Sequence, residues 1–144
     1  MTEVAFHFNA PDKLGYACRL LRKAVGQGAH VVVTGSAAML QRLDVQLWTF
    51  SPLEFVPHCL VPADPQVLNA SPVVLTVGTQ DTPHQQVLVN MGDAVPDGFE
   101  RFARLIEVVS SEEQDRNSAR LRWKQYAEQG YTLVRHDASG VPAS

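Results

Sequence analysis

Cysteine is scarce in this sequence, and its two residues, Cys18 and Cys59, are too few for a disulfide framework. Both read as reduced, buried thiols, which points to the cytoplasm as compartment. No run approaches the ~20 apolar residues of a membrane span. The opening MTEVAFHFNAPD has no basic stretch before an apolar core, so it does not read as a secretory signal. Excess positive charge is also missing: the net charge of −3 excludes a broadly basic nucleic-acid surface. Neither G-x-G-x-x-G nor G-x-x-x-x-G-K-[ST] occurs, and no histidine stands at metal-ligand spacing from a second ligand. No cofactor and no metal are therefore expected.

What remains is the pattern of a globular α/β chain of 144 residues with 45% hydrophobic residues, enough for one domain with a sizeable core. TEVAFHF (2–8) alternates like a strand. A helix follows with Leu14, Ala17, Cys18, Leu21 and Val25 on one face, capped by Asp12 and ended at Gly26 or Gly28. AHVVV (29–33) is a continuous apolar run suited to a strand buried on both faces. Ser36 then caps a helix carrying Met39, Leu40 and Leu43, after which Asp44 is placed to start a second turn through Leu47 and Trp48. Strand, helix, strand, helix implies a parallel sheet with right-handed crossovers.

PVVLTV (72–77) and QQVLVNM (85–91) read as two more strands, joined by a hairpin or an irregular crossing. Phe99, Phe102, Leu105, Ile106 and Val109 have helical spacing. Residues 113–129 form a last helix, stopped by Gly130, and YTLVR (131–135) a last strand. The expected architecture is a single three-layer α/β domain over 1–136 with a mostly parallel sheet, followed by a flexible tail at 137–144.

The strand-turn-helix at Gly35 and Ser36 offers helix N-terminal amides to an anion, but it reads as a structural turn in the absence of the phosphate glycines. His7 and His30 read as buried strand histidines. His58 and Cys59, adjacent in sequence, seldom share the geometry of a nucleophile and its base. Two stretches stand out. RLDVQLWTFSPLEFVPHCLVP (42–62) gathers large apolar residues around three prolines; it either folds over the sheet as core or leaves a remainder that marks a partner site. RLRWKQYAEQGYTL (120–133) belongs to the last helix, where phasing at about 100° per residue puts Arg116, Arg120, Trp123 and Lys124 within roughly a quarter to a third of a turn. No acid lies between Arg116 and Lys124 to neutralise them. That face is either a solvated helix surface or a receptor for an anion with a hydrophobic part.

On RLDVQLWTFSPLEFVPHCL, FERFARLIEVV and ARLRWKQYAEQGYTL, the chain resembles the chi subunit family of bacterial DNA polymerase III holoenzyme, over about residues 2–135. The resemblance implies a Rossmann-like fold without nucleotide binding or catalysis. It implies a clamp-loader accessory subunit that binds the acidic C-terminal tail of single-stranded DNA-binding protein and the small psi subunit, touching DNA only indirectly. By that resemblance the tail pocket falls on Arg116, Arg120, Trp123 and Lys124, and the psi-facing surface on Trp48 and Phe55. The chain departs from the family at Cys59, polar elsewhere, and at Arg135, a small polar position elsewhere at the pocket edge. Arg135 either adds a cation there or obstructs the site. Two other functions stay open on the residues: direct single-stranded DNA binding by the basic, aromatic face, and a small nucleotide-dependent enzyme.

Overall fold

The computed structural model describes residues 2–49, 56–79 and 82–139. In chain order these form β1 (Glu3–Ala10), α1 (Lys13–Gly26), β2 (Val31–Thr34), α2 (Ala37–Thr49), β3 (His58–Leu60), α3 (Pro65–Ala70), β4 (Val73–Leu75), β5 (Val87–Asn90), a 3-10 turn (Phe99–Arg101), β6 (Arg104–Ser110), α4 (Glu113–Glu128) and β7 (Leu133–Asp137). The seven strands make one sheet in the order β3-β4-β2-β5-β6-β1-β7. Every pairing in it is parallel.

An all-parallel sheet needs cover on both faces, and the central strands show it: Val31, Val32 and Val33 are fully buried. One face packs on Ala17, Cys18 and Leu21 of α1 and Leu40, Leu43 and Leu47 of α2. The other packs on Ala119 and Tyr126 of α4 and on Phe99 and Phe102 around the 3-10 turn. Local signals set the helix starts. The Asp12 carboxylate accepts the Gly15 N–H at 3.1 Å, and the Ser36 hydroxyl accepts the Met39 N–H at 3.2 Å. Gly130, with φ of 87°, takes the left-handed conformation that ends α4.

Two expectations need correction, and one open choice is decided. The segment 99–109 is not a helix: it is the 3-10 turn followed by β6, which lies between β5 and β1 near the middle of the sheet. Leu105, Ile106, Val108 and Val109 are apolar on both strand faces, so periodicity could not separate a doubly buried strand from a buried helix. Of the two connections left open between β4 and β5, the crossing holds and not the hairpin, because both strands pair in parallel with β2, on its two sides. His30 is not a buried strand residue; it precedes β2, is exposed, and stacks on His84 with ring centroids 4.7 Å apart. The short β3 and α3 were not anticipated. β7 runs through Asp137, and the Ala138 N–H donates to the Phe8 carbonyl at 2.7 Å.

Asp115 ties α1 to α4. Burial works to raise its pKa, but the Ser110 N–H at 2.8 Å and Lys13 at 3.0 Å outweigh it and hold the carboxyl below its ordinary value. On the α1 face, His7 lies against Tyr16 and His136, and its side chain is nearly closed to water. Burial lowers its pKa to about 4, with smaller contributions from His136 and Arg104. Because unfolded histidine titrates near 6.5, the stability His7 confers is complete above that pH and disappears as pH falls toward 4. Chemical denaturation should show the wild type losing about 2–3 kcal/mol relative to His7→Gln as pH falls from 6.5 toward 4. Parallel pH profiles would contradict it.

Candidate functional site

One helix, α4, carries most of the site, and a buried polar cluster fixes its rotation. Glu107 of β6 is fully buried, and Arg122 of α4 is 2% exposed. The Arg122 Nε donates to Glu107 at 3.1 Å, the Tyr126 hydroxyl donates at 2.6 Å, and the Asn90 amide donates at 3.0 and 3.1 Å. Arg122 also donates through Nη1 to the Ser118 hydroxyl at 2.8 Å. Burial pushes the Glu107 carboxyl up, and Arg122 and the hydrogen bonds oppose it. Asn90 and Glu107 are direct partners in the β5–β6 register, so the sheet itself presents the acceptor.

With Arg122 and Tyr126 turned to the sheet, the adjoining flank of α4 runs from buried Ala119 and half-buried Trp123 out to exposed Arg116 and Arg120. They border a recess of about 570 Å³ between α4 and the β1–β7 side of the sheet. Its lining joins Arg116, Ala119, Arg120 and Trp123 of α4 to Phe6, Phe8 and Asn9 of β1, Val109 of β6 and Arg135 of β7. No carboxylate is in that lining. Phe6 and Phe8 share one face of β1 by strand alternation and make the apolar floor. The Trp123 ring lies 5.0 Å from Phe6 at 58°, and the Arg135 guanidinium sits 4.8 Å over the Phe8 ring. Arg120 is steadied by the Asn117 side-chain oxygen at 2.8 Å.

Four of the five residues expected at a binding face therefore meet in one recess: Arg116, Arg120, Trp123 and Arg135. Lys124 does not; it is exposed on α4 outside the lining. The Arg135 guanidinium stands 4.8 Å from the Phe8 ring centre and is part of the recess lining. Phe6, Phe8 and Asn9 were not singled out in the sequence. Alternation in TEVAFHF could have paired the two phenylalanines, but only the sheet order brings β1 beside α4. Asn9 has φ of 62°, a left-handed conformation rare for a side-chain-bearing residue, where the β1–β6 register shifts between His7 and Ala10.

The other candidates are held in structural roles. A Cβ on Gly35 would meet the Met91 Cβ at 3.3 Å, so this glycine admits a close packing contact. His58 is turned to Asp44 at 2.9 Å and to the Val56 carbonyl at 2.7 Å, while its neighbour Cys59 is buried in β3. Burial pushes the Cys18 thiol up to about 11. Among the described residues no group of three His, Cys, Asp or Glu side chains could hold a metal ion. No helix among them is long and apolar enough to cross a membrane. Trp48 is 61% exposed on α2, as is Val45 three residues before it. Phe55, paired with Trp48 as an expected contact, lies outside the described residues.

Comparison with known proteins agrees over nearly the whole length. Residues 1–134 match the family model described as DNA polymerase III chi subunit, HolC. The chain is 34% identical over 141 residues to a Pseudomonas aeruginosa protein named DNA polymerase III subunit chi, covering 94% of this chain and 96% of that one. It is also 29% identical over 119 residues to a Haemophilus influenzae protein of the same name, covering 81% of each.

The three arginines of α4 should separate cleanly in unfolding experiments. Arg122→Ala strands a buried carboxylate and should cost about 3–5 kcal/mol. Arg116→Ala and Arg120→Ala, on the exposed side, should stay within about 0.5 kcal/mol of wild type. Equal losses at all three positions would contradict this division of the helix.

Proposed function

The chain belongs to the DNA polymerase III chi family, and from that premise we propose that it is a non-catalytic adaptor of the bacterial replisome. In this reading it binds the acidic C-terminal tail of single-stranded DNA-binding protein and connects it, through a psi subunit, to the clamp loader. It works in the cytoplasm, meets DNA only through its partners, and uses no cofactor.

The observation that carries this reading is a recess bordered by Arg116, Arg120 and Arg135, with an aromatic floor and no lining carboxylate. A peptide ending in aspartates and a phenylalanine presents the complement: carboxylates for the guanidinium groups and a ring for the apolar floor. Guanidinium binds carboxylate through paired N–H donors, so arginine suits this task better than lysine. Phe6, Phe8 and Trp123 supply the surface on which a phenylalanine ring can pack. The volume of about 570 Å³ is in the range of sites that take small ligands and peptide side chains.

A second surface favours a second partner. Val45 and Trp48 share an exposed apolar side of α2, well apart in the fold from α4 and its recess. That is the surface proposed here for psi, with Trp48 as its anchor. Trp48→Ala should abolish co-elution with a psi protein while moving the melting temperature by only a few degrees. Loss of folding, or unaltered co-elution, would remove this assignment.

Isothermal titration with an acidic tail peptide tests the principal site. Arg120→Ala should weaken binding by about 1.5–3 kcal/mol, the range for hydrogen bonds to charged groups. Lys124→Ala should change it far less, since Lys124 is outside the lining. Added salt should weaken binding to this exposed site. An unchanged affinity in Arg120→Ala would sink the assignment. A single-stranded oligonucleotide titrated into the same sample separates the peptide reading from direct DNA binding, because stacking on Trp123 would then give affinity without any peptide.

A further inference from the structure

We propose that an acidic peptide seated in the recess continues along β7 as an added strand of the sheet, so that recognition is by main-chain pairing as well as by the arginines. This rests on the peptide-binding reading above and extends it from the recess to the sheet edge. β7 ends the sheet, and among the described residues no strand pairs with its outer side. Ala138 donates to the Phe8 carbonyl at 2.7 Å, so the even-numbered residues of this strand turn their backbone groups to β1. The N–H and C=O groups of Leu133, Arg135 and Asp137 therefore point outward.

Arg135 joins the two surfaces. Its guanidinium lies over Phe8 in the recess, while its backbone belongs to the open edge. A chain leaving the recess past Arg135 meets that edge with no element between them among the described residues. Edge strands are commonly guarded by lysine, proline, a bulge or very short length. β7 has five residues, LVRHD, charged at Arg135 and Asp137 but with neither lysine nor proline, and pairs with β1 in unbroken register from Leu133 to Asp137. The opposite edge, β3, has only three residues. Five residues present about 16 Å of edge, room for a short extended peptide.

Charge sets the register of the peptide. Asp137 accepts the Ser139 N–H and a hydrogen bond from the Asn9 side chain, which hold its carboxyl below the ordinary range. It marks the acidic end of the edge, so the carboxylates of the peptide stop short of it, among Arg116, Arg120 and Arg135. Peptides that add a strand in this way gain affinity from the main chain and specificity from flanking pockets.

Hydrogen exchange on the full chain, with and without a synthetic acidic peptide ending in phenylalanine, tests this. The amides of Leu133, Arg135 and Asp137 should slow by roughly three- to tenfold or more at saturation. Those of Val134 and His136, already turned to β1, should not change. N-methylation of alternate peptide residues should weaken binding by roughly three- to tenfold at every second position and leave the positions between unaffected. Binding that perturbs the Trp123 indole without this alternation would overturn the added strand and leave the recess reading intact. No perturbation of Trp123 would overturn both. Outward amides already protected in the free chain would mean that the edge is covered, and would also overturn the proposal.

Discussion

A carboxylate without access to water has to be surrounded by donors or it does not stay charged, and Glu107 is surrounded. Arg122, Tyr126 and Asn90 all donate to it, from α4 and from the neighbouring strand. Removing such an ion pair from water costs several kcal/mol per ion, and its worth lies in geometry more than in net stability. A smooth apolar helix face can rotate by tens of degrees on a sheet with little change in buried area. A guanidinium that must reach one carboxylate cannot. Glu107 thus fixes the rotation of α4, and with it the directions of Arg116, Arg120 and Trp123.

The recess follows from that rotation and from the sheet order. β1 lies between β6, which holds Glu107, and β7, which holds Arg135. Phe6 and Phe8 face α4 beside the fixed helix, so three arginines converge on an apolar floor in a chain whose net charge is −3. In α4 itself Glu113 and Asp115 in the first turn follow the helix dipole, but the arginines do not. Arg116 sits close to the N-terminal end, where cations are disfavoured, and the last turn has no base to offset the C-terminal end. A helix shaped for stability alone would place them the other way, which favours a ligand-binding reading of the arginines.

Much of this was legible in residues 113–129, because an exposed helix with Arg116, Arg120 and Trp123 at i, i+4 and i+7 displays its face through a single period. The same phasing puts Arg122 about 120° from Arg116, away from the basic arc, which is why one arginine is buried and the others are not. The first α/β units were legible for a similar reason: caps at Asp12 and Ser36 coincide with changes of period. The segment 99–109 was not, since β6 is apolar on both faces and its one buried charge, Glu107, sits inside. A buried carboxylate in a hydrophobic run cannot be told from a solvated one until its partners are known, and those partners are 15 to 19 residues away. Phe6, Phe8 and Asn9 belong to the site only through strand order, a long-range property that local pattern does not carry.

Sheets of this kind usually bind anions at the carboxyl ends of their strands, on the amides of helix N-termini. Here those amides are occupied from within. Ser36 takes the Met39 N–H at the start of α2, and Asp12 takes the Gly15 N–H at the start of α1. Side chains of the protein thus fill places that a phosphate would otherwise take. The cationic groups stand instead on the side of a helix and at the rim of an edge strand, where a chain can lie across them. Such a site cannot surround a small nucleotide as a glycine-rich loop does, but it can hold an extended segment at several points. On a fold best known for enclosing cofactors, capped helix starts and an edge strand left open among the described residues are consistent with the polypeptide ligand proposed above rather than with a small molecule.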